Sequence, residues 1–422
     1  MNLTEFENEL DEANRLRRTS SAKLISTIFM THILLYDVSL LHTKPLRKML
    51  KIIADSKIPF LTGALEKFAE IEYVSGSNIT HSKVKNADAL IIRTRTKCNE
   101  NLLKGSSVKL IASATIGYDH IDTQYCNANG IEWTNAPGCN SGSVKQYIAS
   151  ALAQIIAAKK CRFSHITLGV IGAGNVGSKV VGLATHLGIK TLVNDPPREA
   201  IEGNMHFSTI EQVIEESDII SIHVPLTYEG INKTHHMVNA QFLQKMKKGA
   251  WIINTSRGEV VETGALIQAL EKQHLANAII DVWENEPSIN HQLLNLAHIA
   301  TPHIAGYSVN GKALGTAMSV RAISKFFNLG IDDWQPLHLP SVTPNTLHIE
   351  CKGKTKEEVF TELCQFSYNI LADSSNLKSS PQNFEMLREN YQVRVEPEHL
   401  KVISSEDNAQ MLNFITGLGF NI

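Results

Sequence analysis

From residue 49 onward, short apolar runs alternate with longer stretches in which apolar positions recur at helical spacing. Residues 52–54, 72–74, 89–92 and 109–112 have the length and composition of strands, and residues 61–69 and 120–129 read as helices between them. A longer, largely apolar helix is predicted over 143–160. The alternation then resumes, with strands at 166–171, 190–194, 218–224, 250–254, 277–281 and 298–300 and another long helix at 311–328. Strands separated by helices in this order imply parallel sheets with helices on both faces. The pattern breaks at Trp334-Gln335-Pro336-Leu337-His338-Leu339-Pro340, which reads as a linker. Beyond it, a strand at 346–351 and a helix at 356–369 belong to a small mixed module with no catalytic-looking cluster.

The first 48 residues stand apart. Residues 24–41 are fairly apolar, but His32 and Asp37 interrupt them, and Glu5, Glu7, Glu9, Asp11 and Glu12 come before. A signal peptide wants a basic start and an unbroken apolar core, and a membrane span wants about twenty apolar residues. Neither pattern is met. Met49 could itself be a start, so residues 1–48 read as an appendage of unknown role whose removal should leave activity intact.

Composition narrows the partners. The 422 residues carry a formal net charge of −2 without a basic block, so neither nucleic acid nor a membrane is an expected partner. Cys98, Cys126, Cys139, Cys161, Cys351 and Cys364 show neither zinc spacing nor disulfide-scaffold density, which fits reduced thiols in a cytoplasmic protein. No metal is expected either. The adjacent pair His235-His236 lacks a carboxylate or cysteine at ligand spacing and reads as a solvated loop.

One stretch carries a specific signal. Gly172-Ala173-Gly174-Asn175-Val176-Gly177 sits directly behind an apolar strand, with a helix, a second strand and Asp195 following. The first glycine turns the chain, the second lets backbone approach a pyrophosphate, and the third lets helix pack on strand. The helix start then offers backbone N–H groups to that pyrophosphate. A carboxylate at Asp195 accepts hydrogen bonds from ribose hydroxyls and repels a 2′-phosphate, so NAD is favoured over NADP; Arg198 could soften that preference. The expected fold is α/β, with two Rossmann-like parallel-sheet domains and a small α+β C-terminal domain.

Three further groups fall after strands of the second series, where open α/β sheets bind ligands. They are Asn254-Thr255-Ser256-Arg257-Gly258, Asp281-Val282-Trp283-Glu284-Asn285-Glu286-Pro287 and Thr301-Pro302-His303-Ile304-Ala305-Gly306-Tyr307. An arginine fork can hold a carboxylate by paired hydrogen bonds. A histidine can take a hydroxyl proton near neutrality while hydride leaves for nicotinamide, with a carboxylate steadying the imidazolium. After the strand at 89–92, Arg93, Arg95 and Lys97 would share one face of an extended chain, with Thr94 and Thr96 on the other. Either face could receive a phosphate, and an ordinary solvated strand end fits equally well.

Taken together, these motifs resemble the NAD-dependent D-2-hydroxyacid dehydrogenases. A narrower branch is matched by Ala114-Thr115-Ile116-Gly117-Tyr118-Asp119-His120, Ala136-Pro137-Gly138-Cys139-Asn140, Asn194-Asp195-Pro196-Pro197-Arg198 and His303-Ile304-Ala305-Gly306-Tyr307, and weakly by Leu387-Arg388-Glu389-Asn390-Tyr391. The resemblance implies Arg257 as holder of the substrate carboxylate, His303 as acid/base and Glu286 as its partner. It places Thr94, Thr115 and Tyr307 at the substrate, and Gly172, Gly174, Asn175, Val176, Gly177, Asp195, Val224, Thr255, Ser256, Asp281 and Gly306 around NAD. The implied reaction is oxidation of a small phosphorylated 2-hydroxy acid, 4-phospho-D-erythronate, to 2-oxo-3-hydroxy-4-phosphobutanoate in pyridoxal 5′-phosphate synthesis. The implied domains are 49–145 with 304–334 for substrate, 146–303 for NAD and 335–422 for homodimerisation. Departures from the family pattern are Gln146 where a glutamate is usual, the flexible turn Asn140-Ser141-Gly142, Val224, and Arg394-Val395-Glu396 where a second arginine is common. An enzyme for phosphoglycerate or an unphosphorylated acid, and a dinucleotide-sensing binding protein, remain alternatives.

Overall fold

Two parallel sheets organise the chain in the computed structural model, which describes residues 49–405 and 408–422. The appendage expected over 1–48 lies outside the described residues. The first sheet contains β1 (Leu50–Asp55), β2 (Ala69–Val74), β3 (Ala89–Ile92), β4 (Leu110–Ser113) and β5 (Glu132–Thr134), in the order β2-β1-β3-β4-β5. Strand β3 pairs parallel with both β1 and β4, and β4 with β5. Every residue of β3 and β4 is buried, which is why both read as unbroken apolar runs rather than alternating ones.

The second sheet holds β6 (Thr167–Ile171), β7 (Lys190–Asn194), β8 (Ile219–Ile222), β9 (Trp251–Asn254), β10 (Asn277–Ile280) and β11 (Ile299–Ala300). Its order is β11-β10-β9-β8-β6-β7, and all its pairings are parallel. From β6 the chain passes to β7 on one side, then returns to β8 on the other. Such a reversal leaves a crevice at the carboxyl ends of the strands, the usual ligand position in open α/β sheets.

Two nineteen-residue helices, Ser141–Lys159 and Val309–Phe327, connect this sheet with the first. Gly315 lets the second helix sit against Ala114, whose carbonyl oxygen would lie 2.5 Å from an added Cβ. The helix Ser141–Lys159 is apolar nearly all round because it is covered on several sides. Its Ile148, Leu152 and Ile156 share one core with Phe360, Leu363, Val402, Phe414 and Ile415 of the C-terminal part. Each fully buried aliphatic or aromatic side chain there contributes roughly 1.5–3 kcal/mol. The C-terminal part itself pairs β12 (Thr346–Ile349) parallel with β13 (Lys401–Ser404) and adds helices Lys356–Ser367, Ile370–Ser379, Phe384–Glu389 and Ala409–Gly417. Among the described residues, no helix is long and apolar enough to cross a membrane.

Most expected elements are present with shifted ends, and one differs in kind. Residues 61–69 form irregular turns rather than a helix: Leu61, Ala64 and Leu65 are buried at helical spacing, but Phe60 and Gly63 adopt positive φ. Glu66 then accepts the Gly63 and Leu65 N–H groups and the Tyr73 hydroxyl, which satisfies the backbone without a helix. Of residues 120–129 only Thr123–Ala128 is helical, because Asp122 caps it by accepting the Tyr125 N–H. Strand β5 was not expected.

Candidate active site

The carboxyl ends of the second sheet present the motif residues in strand order. His303 follows β11, Asp281 and Glu286 follow β10, Arg257 follows β9, Val224 follows β8, the glycine loop follows β6 and Asp195 follows β7. The loops between thus line one crest.

On the glycine side, geometry divides the labour among three glycines. Gly172 turns with φ +85°, and an added Cβ would lie 2.5 Å from the His223 carbonyl oxygen. At Gly177 the Cβ would fall 1.9 Å from the Gly172 carbonyl oxygen, inside the packing of helix Gly177–Leu187 on the loop. Gly174 faces open space, with nothing within 4 Å. Asn175 and Val176 complete the turn, Asn175 standing against Gly138. Asp195 accepts the Ala173 N–H at 2.7 Å and the Arg198 N–H at 3.0 Å, so one carboxylate fixes the loop and caps the next helix. Arg198 is occupied. It donates to Ala173 O at 2.5 Å and to both Glu202 oxygens, at 2.7 and 2.8 Å. An open glycine at a helix start beside a half-exposed aspartate fits a dinucleotide pyrophosphate and ribose.

Next along the crest, His223 is hydrogen-bonded to Ser221 at 2.8 Å and lies 3.5 Å from the Thr255 hydroxyl. Burial pushes its pKa down to about 3, so it is a neutral ring at ordinary pH. Half-buried Val224 follows it. Asn254 binds the Arg257 carbonyl and accepts from Ser256, closing the turn that carries Arg257. The Arg257 guanidinium donates to Ser256 O at 2.8 Å and reaches Asp119 at 3.2 Å. Gly117 makes room for it, since a Cβ there would sit 2.4 Å from Nη2.

His303 holds a positive φ of 55°. Its Nδ1 donates to Glu286 Oε2 at 2.8 Å, which leaves Nε2 with the lone pair. The other Glu286 oxygen accepts the Trp283 N–H at 3.0 Å. Burial pushes the Glu286 carboxyl up, but His303, the Trp283 amide and Arg388 together hold it below the usual range, and it stays ionised. Asp281 is 1% exposed, and its carboxylate is turned inward. It accepts Thr301 Oγ1 at 2.6 Å, Ile304 N–H at 2.8 Å and Ala305 N–H at 2.9 Å. The Asp281 carboxylate pins the turn that presents His303. Tyr147 extends the network to Thr301 at 2.7 Å. Burial pushes the Asp281 carboxyl above the usual range, against the pull of His303 and these donors.

The remaining expected residues scatter more. Thr115 hydrogen-bonds Ser113 and Gly117 at the end of β4. Gly306 is a point of close approach, its Cβ direction 2.0 Å from Asn140 Nδ2. Tyr307 stands edge-on to Tyr391 at 6.0 Å. The cationic face expected from Arg93, Arg95 and Lys97 does not form, because the chain turns there: Thr96 N–H binds Arg93 O and the Thr96 hydroxyl binds Gly76 O. Arg93 pairs with Asp55 at 2.9 Å, Arg95 with Glu385 at 2.6 Å, and Thr94 and Lys97 are exposed. Gly142 is not a hinge of free backbone. It is small because the Glu396 carboxylate lies where its Cβ would be.

The C-terminal segment, read as carrying no catalytic-looking cluster, packs several polar side chains against the loops of the candidate site. Glu396 accepts from Ser143 and Ser308 at 2.9 and 2.7 Å, and Arg394 donates to Ala305 O at 2.6 Å. Gln146 donates to Val395 O and Ser367 O, a job glutamate could not do. Arg388 lies 3.9 Å from Glu286. Only the match at Leu387-Arg388-Glu389-Asn390-Tyr391 pointed this way. His236, in a turn, pairs with Glu284 at 2.6 Å, a contact the sequence did not signal.

With this geometry in view, comparison with known proteins is direct. Residues 149–305 match the model of the D-isomer specific 2-hydroxyacid dehydrogenase NAD-binding domain, and residues 339–419 match a domain of unknown function. The erythronate-4-phosphate dehydrogenase of Bacteroides thetaiotaomicron is 48% identical over 84% of this chain and 99% of its own length. The chain belongs to the erythronate-4-phosphate dehydrogenase family. A second member, from Pseudomonas fluorescens strain Pf0-1, is 37% identical over 87% of this chain and 98% of its own. Among solved structures, a D-lactate dehydrogenase from Aquifex aeolicus complexed with NAD and lactic acid matches with TM-score 0.58 and 29% identity, covering 69% of this chain and 100% of that one. An NAD-bound 3-phosphoglycerate dehydrogenase from Entamoeba histolytica matches with TM-score 0.57 and 27% identity, over 69% and 99%. The erythronate-4-phosphate dehydrogenase family therefore combines a dehydrogenase fold shared with lactate and phosphoglycerate enzymes with relatives that match this chain along nearly their whole length.

Proposed function

We propose that the protein oxidises 4-phospho-D-erythronate to 2-oxo-3-hydroxy-4-phosphobutanoate with NAD, a step toward pyridoxal 5′-phosphate. The observation that carries the chemistry is the His303–Glu286 hydrogen bond of 2.8 Å at the crest beside the glycine loop. Glycines 172, 174 and 177, with Asn175, Val176 and Asp195, would hold the pyrophosphate and adenosine ribose, and Val224, Thr255, Ser256 and Gly306 would border the nicotinamide end. NAD, when bound, supplies the acceptor for the hydride leaving C2 of the substrate. His303 Nε2 takes the hydroxyl proton as the C2–H bond breaks and the C2=O bond forms, and Glu286 stabilises the resulting imidazolium. Arg257 turns its guanidinium from Asp119 to the substrate carboxylate, fixing C2 against the histidine. Thr94, Thr115 and Tyr307 would contact the rest of the substrate.

The reading also carries a cytoplasmic homodimer. All six cysteines are free, and Leu371 and Met386 stand 43% and 50% exposed on two C-terminal helices. Sedimentation measures the assembly. For the reaction, NADH absorbance is followed with 4-phospho-D-erythronate, 3-phosphoglycerate and D-lactate under identical conditions. The phosphorylated four-carbon acid should give the highest kcat/KM; preference for either of the others would displace it.

A further inference from the structure

His303 is held in a backbone geometry that its residue type resists. Its φ of 55° lies in the left-handed region. A non-glycine residue there costs on the order of 1–3 kcal/mol and persists only where its surroundings over-determine it. The hydrogen bond to Glu286 orients the ring and does not by itself fix the main chain. The two residues that follow are held from both sides. Asp281 accepts the N–H groups of Ile304 and Ala305 at 2.8 and 2.9 Å. Arg394 Nη2 donates to the carbonyl oxygens of the same two residues, at 3.2 and 2.6 Å. The contact continues along the loop: Val309 N–H binds the Arg394 carbonyl at 2.8 Å, and Glu396 N–H binds Asn310 Oδ1 at 3.0 Å. Arg394 is 4% exposed, with its guanidinium 4.3 Å from the centre of the Tyr368 ring. Its Nε and Nη1 have no hydrogen-bond partner, so its side-chain bonds all go to the turn after His303. A buried cation that leaves most of its donors idle is unfavourable, and an apolar side chain would fill the same space at lower cost. Packing alone does not account for it.

We propose that Arg394 is a positioning residue for His303, fixing from the C-terminal segment the turn on which the direction of the imidazole depends. The inference rests on His303 as the acid/base, and not on which acid is oxidised. Asp281 and Arg394 divide the work: the carboxylate takes the N–H side of the turn and the guanidinium takes the C=O side. With one side released, the turn relaxes toward an ordinary φ, and Nε2 swings away from the hydroxyl proton it must accept. A reacting group misplaced by about 1 Å loses on the order of a hundredfold in rate. Arg394 acts through the main chain of residues 304 and 305, so its effect falls on rate rather than on binding. The C-terminal part of the chain thereby acts in turnover as well as in packing.

The test sets Arg394→Met, Arg394→Gln and Arg394→Lys beside wild type and His303→Ala, all in the full chain. Both neutral variants should lower kcat by about 10- to 100-fold, with KM and NAD affinity within about threefold of wild type. Arg394→Lys keeps a charged donor near the carbonyls and should recover part of the loss, which a side chain that only fills space would not do. A second readout is independent of turnover. In histidine-labelled protein the His303 ring resonance, assigned by its loss in His303→Ala, should shift and broaden in the neutral variants and return toward wild type in Arg394→Lys. NAD binding reports folding, and Arg394→Gln decides the matter if Arg394→Met does not fold. In a folded neutral variant, wild-type kcat or an unmoved His303 resonance overturns the inference. So does a fall in NAD affinity as large as the fall in kcat, which would make Arg394 a packing residue. Turnover retained in His303→Ala overturns instead the acid/base reading, whereas a dead His303→Ala beside unaffected Arg394 variants removes the positioning role alone.

Discussion

The glycine crevice and the histidine corner sit on the same sheet crest but are built in opposite ways. In the crevice, Gly172, Gly174, Gly177, Asp195 and Arg198 lie within one strand–helix–strand passage, and their contacts are mostly with each other. In the corner, His303 is set by Asp281, Glu286 and Trp283, then braced by Tyr147, Arg388 and Arg394 from distant parts of the chain. The crevice is a local motif, and the corner is a tertiary assembly. Damage in the first should appear in cofactor binding; damage in the second should appear in turnover and stability.

His303→Ala tests that division most severely. Loss of the proton acceptor should cut kcat about 10³- to 10⁴-fold, while NAD affinity by fluorescence titration stays within a few-fold of wild type. A parallel fall in NAD affinity would show that the two regions are not separable. Gly177→Ala is the reciprocal test. Its Cβ would meet the Gly172 carbonyl oxygen at 1.9 Å, and backbone on both sides cannot swing aside. NAD affinity should fall at least tenfold or so, in line with a misplaced helix start; an unchanged affinity would mean the loop is not the binding element.

Asp281→Ala probes the brace rather than the chemistry. Removing the carboxylate leaves the Ile304 and Ala305 N–H groups and the Thr301 hydroxyl without their acceptor. Buried unsatisfied groups cost about 1–3 kcal/mol each, so stability should drop by roughly 3 kcal/mol or more. Denaturant melts read this, and kcat should fall with the loosened turn. If only NAD affinity changed, Asp281 would be a cofactor ligand after all.

The same contrast explains what could be read from the residues alone. The glycine loop, its flanking strands and Asp195 are close in sequence, and each residue type has a backbone reason to be there. Arg257, Glu286 and His303 could be grouped from the sequence because each follows a strand and strand ends share an edge. Long-range partners were not. Nothing local in Tyr391-Gln392-Val393-Arg394-Val395-Glu396 shows that Arg394 will meet Ala305 or that Glu396 will meet Ser143 and Ser308. The helix expected at 61–69 failed for a related reason: its apolar spacing is real and buried, but positive φ at Gly63 and the Glu66 contacts select turns. Arg93, Arg95 and Lys97 were placed on one face by assuming an extended chain, and a single turn separated them.

Two histidines along these sheet edges are kept neutral by burial: His223 after β8, pushed down to about 3, and His120 near Arg257, pushed down to about 4. Both lie below the ordinary value near 6.5, so on acidification the unfolded chain takes up protons that the folded one refuses. Stability is therefore full above about pH 6.5 and falls as pH drops toward about 4, with a slope of up to roughly two protons. His223→Gln should remove about one proton from that slope in pH-dependent melts. An unchanged slope would show that His223 is protonated in the fold.

The smallest effect concerns which dinucleotide the crevice takes. Arg198 stands beside Asp195, the residue proposed to hold the adenosine ribose, where a free guanidinium would attract a 2′-phosphate. Both Nε and Nη2 are instead committed to Glu202, and Nη1 to the Ala173 carbonyl. Glu202→Gln should loosen that pairing and raise the use of NADP relative to NAD, measured as a ratio of kcat/KM values. The rise should stay below about tenfold, since both side chains are solvent-exposed and exposed pairs contribute little, and Asp195 remains to repel the phosphate. Added salt should shrink it further. A ratio that moved as much as in an Asp195→Ser variant would transfer the selectivity from the ribose carboxylate to this ion pair, and the crevice would then depend on a side chain outside its own strand–loop–helix passage.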